Sequence, residues 1–150
     1  MPYLVREHKV SAYCVDGFFA SIESLAAYFR YSMAILDKPV RDSLFRTVEV
    51  YTKVRDSAPC HICGDAKISR SVIADGCVIE GTVENSILFR GVHIGKNAVV
   101  KNSILFQNAD VGDRTSLDCV IADKEVIIRA GKTLSGCKER PYFIPKDTAL

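Results

Sequence analysis

Residues Glu84 to Val99 read ENSILFRGVHIGKNAV, and residues Lys101 to Ser116 read KNSILFQNADVGDRTS. The chain therefore repeats itself at an offset of 17, with Asn, Ser, Ile, Leu, Phe and a later Gly recurring. The same offset runs on to Asp118, where the apolar positions persist and the lettering is lost. Backwards, Ser71 to Ile79 matches Ser86 to Ile94 at an offset of 15. Self-similarity at a short fixed period signals stacked units, each burying its apolar face on the next.

Three columns emerge from the spacing. Ile73, Leu88, Leu105 and Ala122 form one; Ile62, Ile79, Ile94, Val111 and Ile128 form a second. Ile68, Val83, Val100, Leu117 and Leu134 form a third. Going round, the steps are six, six and five residues, except that Ile79 to Val83 is four. Four residues after each column member the side chain is again small or apolar: Ala66, Cys77, Val92, Ala109 and Val126 on some sides, Ala98, Thr115, Ile87, Ile104 and Ile121 on others. Gly95 and Gly112 follow their column members directly, where a corner can use glycine's permissive backbone. A helix would need 3.6 spacing and an antiparallel sandwich would need hairpin turns. The pattern predicts a mostly β chain: a parallel β-helix of hexapeptide repeats with about four coils over residues 62–134. At about 4.8 Å per coil it would be roughly 20 Å long. Lys132 breaks the small-residue rule in the last coil, so the tail 135–150 is expected to cover that end. Phe89 and Phe106 recur one coil apart as an outward aromatic ridge, a candidate assembly surface. The other occupant for this ridge is the N-terminal helix, through Phe29 and Met33.

The first 47 residues follow a different grammar. From Ser21, the residues Ile22, Leu25, Ala26, Phe29, Met33 and Leu36 fall on one helix face. Ser21 is the expected N-cap, and Asp37-Lys38-Pro39 the expected stop. Tyr3–Val5 and Val10–Val15 read as short strands, too few for an independent sheet. Glu49–Arg55 reads as another. Residues 1–47 thus look like the end of a larger domain with a linker helix, and residues 48–61 like an interdomain strand.

Twenty basic against eighteen acidic residues leave a net charge of +2 and no basic face for nucleic acid. No run approaches a membrane span, and Arg6, Glu7, His8 and Lys9 stand where an export signal needs apolar residues. The six cysteines follow no paired spacing, so the expectation is reduced thiols in a cytoplasm. Cys60-His61-Ile62-Cys63 has metal-ligand types but no second cluster to close a zinc site. His93 precedes the inward Ile94 and should face outward. Hexapeptide acyltransferases use such a histidine as general base, but no coil here carries an inserted loop to build that site.

The flank discriminates among hexapeptide proteins. Val50-Tyr51-Thr52-Lys53-Val54-Arg55-Asp56-Ser57-Ala58-Pro59 resembles the linker of bacterial and plant glucose-1-phosphate adenylyltransferases, and Ser21-Ile22-Glu23-Ser24 with its helix resembles the segment before that linker. The coil text SVIADGCVIEGTVENSILFRGVHIGKNAVVKNSIL is similar to the same family's β-helix. The resemblance implies a left-handed coil, and a nucleotide-binding domain ahead of Met1. It departs from catalytic members, which carry a Tyr-Trp-x-Asp-Val-Gly-Thr run before the helix; here Phe18 stands at that aspartate and Ala20 at the glycine. That is the pattern of the family's GlgD-type second subunit. The resemblance implies a role in glycogen synthesis through assembly and regulation, with no catalytic residue, metal or cofactor in this segment. It also implies other subunits, homo- or hetero-oligomeric with a catalytic one, as partners, and a phosphorylated effector near Lys53 and Arg55. Nucleic acid and membrane are not among the expected partners. The competing function is an independent acyl-CoA-dependent acyltransferase.

Overall fold

The computed structural model describes residues 8–14, 16–46, 50–51 and 56–150. Fifteen short strands wind into a three-sided prism in which each face is a five-stranded parallel sheet. The first face stacks β1 (His61–Ile62), β4 (Val78–Ile79), β7 (His93–Ile94), β10 (Asp110–Val111) and β13 (Ile127–Ile128). The second stacks β2 (Lys67–Ser69), β5 (Thr82–Glu84), β8 (Val99–Lys101), β11 (Ser116–Asp118) and β14 (Thr133–Ser135). The third stacks β3 (Val72–Ile73), β6 (Ile87–Leu88), β9 (Ile104–Leu105), β12 (Val120–Ala122) and β15 (Tyr142–Ile144). The architecture is a parallel β-solenoid of about four turns and fits the left-handed β-helix of hexapeptide repeats.

The three sequence columns are the three inward ladders. Ile62 pairs with Ile79, Ile79 with Ile94, and Val111 with both Ile94 and Ile128. Val83 pairs with Val100, and Leu88 with Leu105. From the second turn onward these side chains are essentially sealed from solvent and form one core, except Leu134 on the outermost strand β14, which is half-buried. Identical register keeps like on like, so each apolar residue rests on its copy in the next coil.

The small inward position lies two residues before each column member, and this corrects one expectation. On six-residue sides that place coincides with four after the previous member, as Val92, Ala98 and Ala109 show. On the five-residue side it shifts by one. Ser86 and Ser103 are the buried small residues there, while Ile87, Ile104 and Ile121 turn outward into a second apolar cluster.

That second cluster is covered by α1 (Leu25–Ala34), whose Phe29 is buried against it together with Leu36. The helix starts later than its apolar stripe suggests. Ser24 is the N-cap, its hydroxyl accepting from the Ala27 N–H at 3.1 Å, while Ser21 donates to the Glu23 carboxylate. Pro39 does not simply stop the helical region. It sits in the first turn of α2 (Lys38–Phe45), where its missing N–H costs nothing. Val10–Cys14 is irregular rather than a strand, and among the described residues no strand pairs with it. Val50 and Tyr51 likewise lie in no strand; the expected strands at Tyr3–Val5 and through residues 52–55 fall outside the described residues.

Candidate functional site

Where α1 meets the corner between the second and third faces, two polar ladders run along the prism. The corner residues Asn85 and Asn102 have φ of 47° and 44°, a left-handed conformation that asparagine tolerates better than most residues. Asn85 donates to Asn102 at 2.8 Å, and Asn102 donates to Asp118 at 2.8 Å. Beside them the Ser71, Ser86 and Ser103 hydroxyls each accept the backbone N–H of the next coil, Ser86, Ser103 and Val120, at 3.1 Å. Each serine hydroxyl also donates to the carbonyl two residues back, on Ser69, Glu84 and Lys101. Three successive rungs of this corner thus each satisfy a backbone N–H through a serine hydroxyl.

Asn85 and Asn102 form one wall of a cleft of about 580 Å³ between this corner and α1. Arg30 comes from the helix, Arg70 from the first coil and Lys138 from the C-terminal excursion. Arg70 is ion-paired with Asp37, which ties the turn after α1 to the first coil. Arg30 lies over the Tyr31 ring at 4.8 Å. The cleft offers guanidinium, ammonium and amide donors, the groups that bind phosphate or carboxylate anions, alongside the Asp37 and Glu139 carboxylates. An apolar slot of about 300 Å³ lies on the other flank of the helix, between Tyr28, Ile35, Val72 and Phe89.

Phe89 and Phe106 do stack into a ridge, with ring centroids 4.7 Å apart and planes within 3°. Tyr28 of α1 stacks on Phe106 at 6.2 Å, leaving both phenylalanines half-buried. Of the two occupants that the sequence allows for this ridge, the N-terminal helix is in contact with it. Lys53 and Arg55 lie outside the described residues. Phe18 is half-buried, its ring edge-on to Tyr31.

His93 faces outward as expected, but it is not isolated. Its Nδ1 is 2.7 Å from Asp110 Oδ1 and its Nε2 3.4 Å from Glu80 Oε2. Burial of the ring is the largest single influence and lowers its pKa, but the hydrogen bonds to Asp110 and Glu80 and their charges outweigh it, so the net shift is upward. Cys60 packs against the core while the adjacent His61 is exposed, because neighbours in a strand point to opposite faces. The Cys60, His61 and Cys63 types therefore do not converge. Among the described residues no group of three or more His, Cys, Asp or Glu side chains could hold a metal ion. All six cysteines are free thiols, and burial pushes Cys119 up to about 11.

The Asn-Ser recurrence at offset 17 is the sequence signal of the amide and serine ladders, but the repeat alone does not mark them as a site. The contact of Glu80 with His93 had no such signal, since it spans 13 residues across the shortened coil.

Comparison with known proteins places these features. The family described as "GlmU-like, C-terminal hexapeptide" matches residues 60–139. The glycogen biosynthesis protein GlgD of Bacillus subtilis (strain 168) is 37% identical over 138 residues, which is 91% of this chain and 40% of that protein. GlgD of Geobacillus stearothermophilus is 46% identical over 118 residues, 78% of this chain and 34% of the relative. The glucose-1-phosphate adenylyltransferase of the same organism is 39% identical over 103 residues, 67% of this chain and 27% of that enzyme. The chain thus spans two fifths or less of the length of these relatives. Among the described residues no helix is long and apolar enough to cross a membrane.

Proposed function

Because this chain belongs to the family of GlmU-like C-terminal hexapeptide domains, we propose that it is the C-terminal β-helix part of a GlgD-type subunit of a glucose-1-phosphate adenylyltransferase. In this reading it works in the cytoplasm, in glycogen synthesis, where the whole enzyme converts ATP and glucose-1-phosphate into ADP-glucose. Its contribution is subunit assembly and relay of effector binding, and it carries out no chemistry by itself. The observation that carries the reading is the alignment with GlgD over 91% of the chain, which takes in the segment before the coils as well as the coils. Phe18 and Ala20, in place of the acidic and glycine positions of catalytic members, support the non-catalytic role.

Partners are other subunits, including a catalytic adenylyltransferase chain. The Phe89–Phe106 ridge is half-buried beside α1, and its open part is the contact surface we assign to assembly. A phosphorylated small molecule is the proposed effector. Arg30, Arg70 and Lys138 in the cleft are its proposed cationic partners. Lys53 and Arg55 are proposed for the same role on the family resemblance of the linker alone.

Co-expression with a catalytic adenylyltransferase subunit, followed by sedimentation, tests the reading. A mixed oligomer is expected, while the chain alone releases no pyrophosphate from ATP and glucose-1-phosphate. Failure to associate, or turnover by the purified chain that a mutation within it abolishes, overturns it. Phe89→Ser with Phe106→Ser should lower oligomer mass with α1 still folded. Unchanged mass with lost helical signal would assign the ridge to the intrachain contact alone.

A further inference from the structure

Glu80 stands where the other turns place Cys63, Gly95, Gly112 and Arg129, directly after the inward residue of the first face. Only at this corner does the chain reach the second face in four residues. Gly81 passes so close to the next coil that an added Cβ would lie 2.4 Å from the Ala98 carbonyl oxygen. The cut corner carries the Glu80 carboxylate to His93, whose ring already meets Asp110 on its other side. The three residues belong to three consecutive coils, those of β4, β7 and β10.

A neutral imidazole has one N–H and one lone pair, so it can donate to only one of two carboxylates and must turn its lone pair on the other. The imidazolium donates to both. The charged and titratable neighbours are few. β4 presents uncharged Val78 in register with His93, and Glu80 just past its end; β10 presents Asp110. One rung further out stand His61 on β1 and Ile127 on β13. Asp110 and Glu80 supply the charges acting on the ring.

We propose that His93 is a proton-operated clamp: doubly protonated, it ties three coils through Glu80 and Asp110, and on losing a proton it releases the shortened coil. The raised pKa agrees with this geometry. A group whose pKa is higher in the folded than in the unfolded chain stabilises fully below the unfolded value. That contribution is lost as pH rises through the folded value. The clamp is therefore closed in mildly acidic solution and open on the alkaline side of histidine's ordinary range.

The test is a histidine NMR titration of the 150-residue chain and of its Asp110→Asn, Glu80→Gln and His93→Gln variants. Melting temperature is followed from about pH 5.5 to 8.5, where an unperturbed histidine changes charge. The wild-type His93 midpoint should lie above that of an ordinary histidine and fall in both carboxylate variants. Melting temperature should fall with rising pH in the wild type more steeply than in His93→Gln. At acidic pH, exchange of the Glu80 amide, which donates to the Ile94 carbonyl at 2.8 Å, should be faster in His93→Gln. A wild-type midpoint at or below the ordinary value overturns the clamp, and so does an unchanged pH slope in His93→Gln. The wild-type titration decides the matter even if a variant folds poorly.

Discussion

The two ends of the prism are built from the same repeat and finished differently. At the N-terminal end, β1, β2 and β3 are the outermost strands of their sheets. Their inward residues are only partly covered: Ile62 is 54% exposed, and Ile68 and Ile73 are half-buried. At the C-terminal end the chain leaves the coil after β14 and returns as β15, setting Ile144 on Ala122 at 1% exposure. It then runs beside β13, where the Leu150 N–H donates to the Ile127 carbonyl and the Arg129 N–H to the Leu150 carbonyl, both at 2.9 Å. The difference teaches that an inward column position is worth only what lies on both sides of it. A terminal rung buries half as much as an inner one unless another segment supplies the missing layer.

The largest expected contrast comes from placing one substitution at two levels of one column. Ile94→Asp puts a carboxylate in the sealed interior and should cost several kcal/mol, while Ile62→Asp should cost about 1 kcal/mol or less. Urea unfolding of both variants measures this, and equal losses would break the comparison. Next comes removal of the lid: Ile144→Ala should cost about 2–5 kcal/mol as a buried large-to-small change. Ile62→Ala should cost well under half of that, since half its surface already meets solvent.

Gly64 and Gly81 sharpen the contrast, because each lies two residues after the inward residue of the first face, Gly64 after Ile62 in the open first coil and Gly81 after Ile79 in the shortened one. A Cβ on Gly81 would collide with backbone, so Gly81→Ala should destabilise by about 1–3 kcal/mol. A Cβ on Gly64 meets nothing within 4 Å, so Gly64→Ala should be neutral or stabilising by a few tenths to about 1 kcal/mol. Thermal melts of the two variants should shift in opposite directions or differ clearly in size. The smallest effect concerns the outer surface of the middle coils. Lys101 and Glu84 pair at 3.1 Å with about half of each side chain in solvent. Lys101→Ala should stay within about 0.5 kcal/mol, which would show that burial, and not position along the prism, sets the cost.

Much of the fold was legible beforehand because parallel stacking converts a sequence interval into a spatial neighbour. Ile62, Ile79, Ile94, Val111 and Ile128 could be aligned by counting, and the structure pairs them in that order. Counting failed at Ile87, Ile104 and Ile121 because the five-residue side moves its inward place by one residue, which turns these side chains to the opposite face. It also failed at α1, whose cap is Ser24 and not Ser21: an apolar stripe shows which face a helix will bury but not which turn begins it.

The candidate site was less legible than the fold. Asn85, Asn102 and the serines recur visibly, yet their bonding to one another depends on left-handed corners that no periodicity specifies. Arg30, Arg70 and Lys138 come from three distant parts of the chain and meet only because α1 lies on the third face. Glu80 reaches His93 only because two residues are missing from one corner.

By itself the sequence determined the solenoid, its three inward columns and the residues that cap or break them, since each follows from local period and register. The tertiary structure alone decided that α1 covers the Ile87–Ile104–Ile121 face and that the tail, expected at the C-terminal end, lies on β12 and β13 and leaves Leu134 half-buried. It also decided which charges gather in the cleft and around His93. An apolar stripe can bury itself on any apolar surface, and a surface charge has no period; only the packed chain selects their partners.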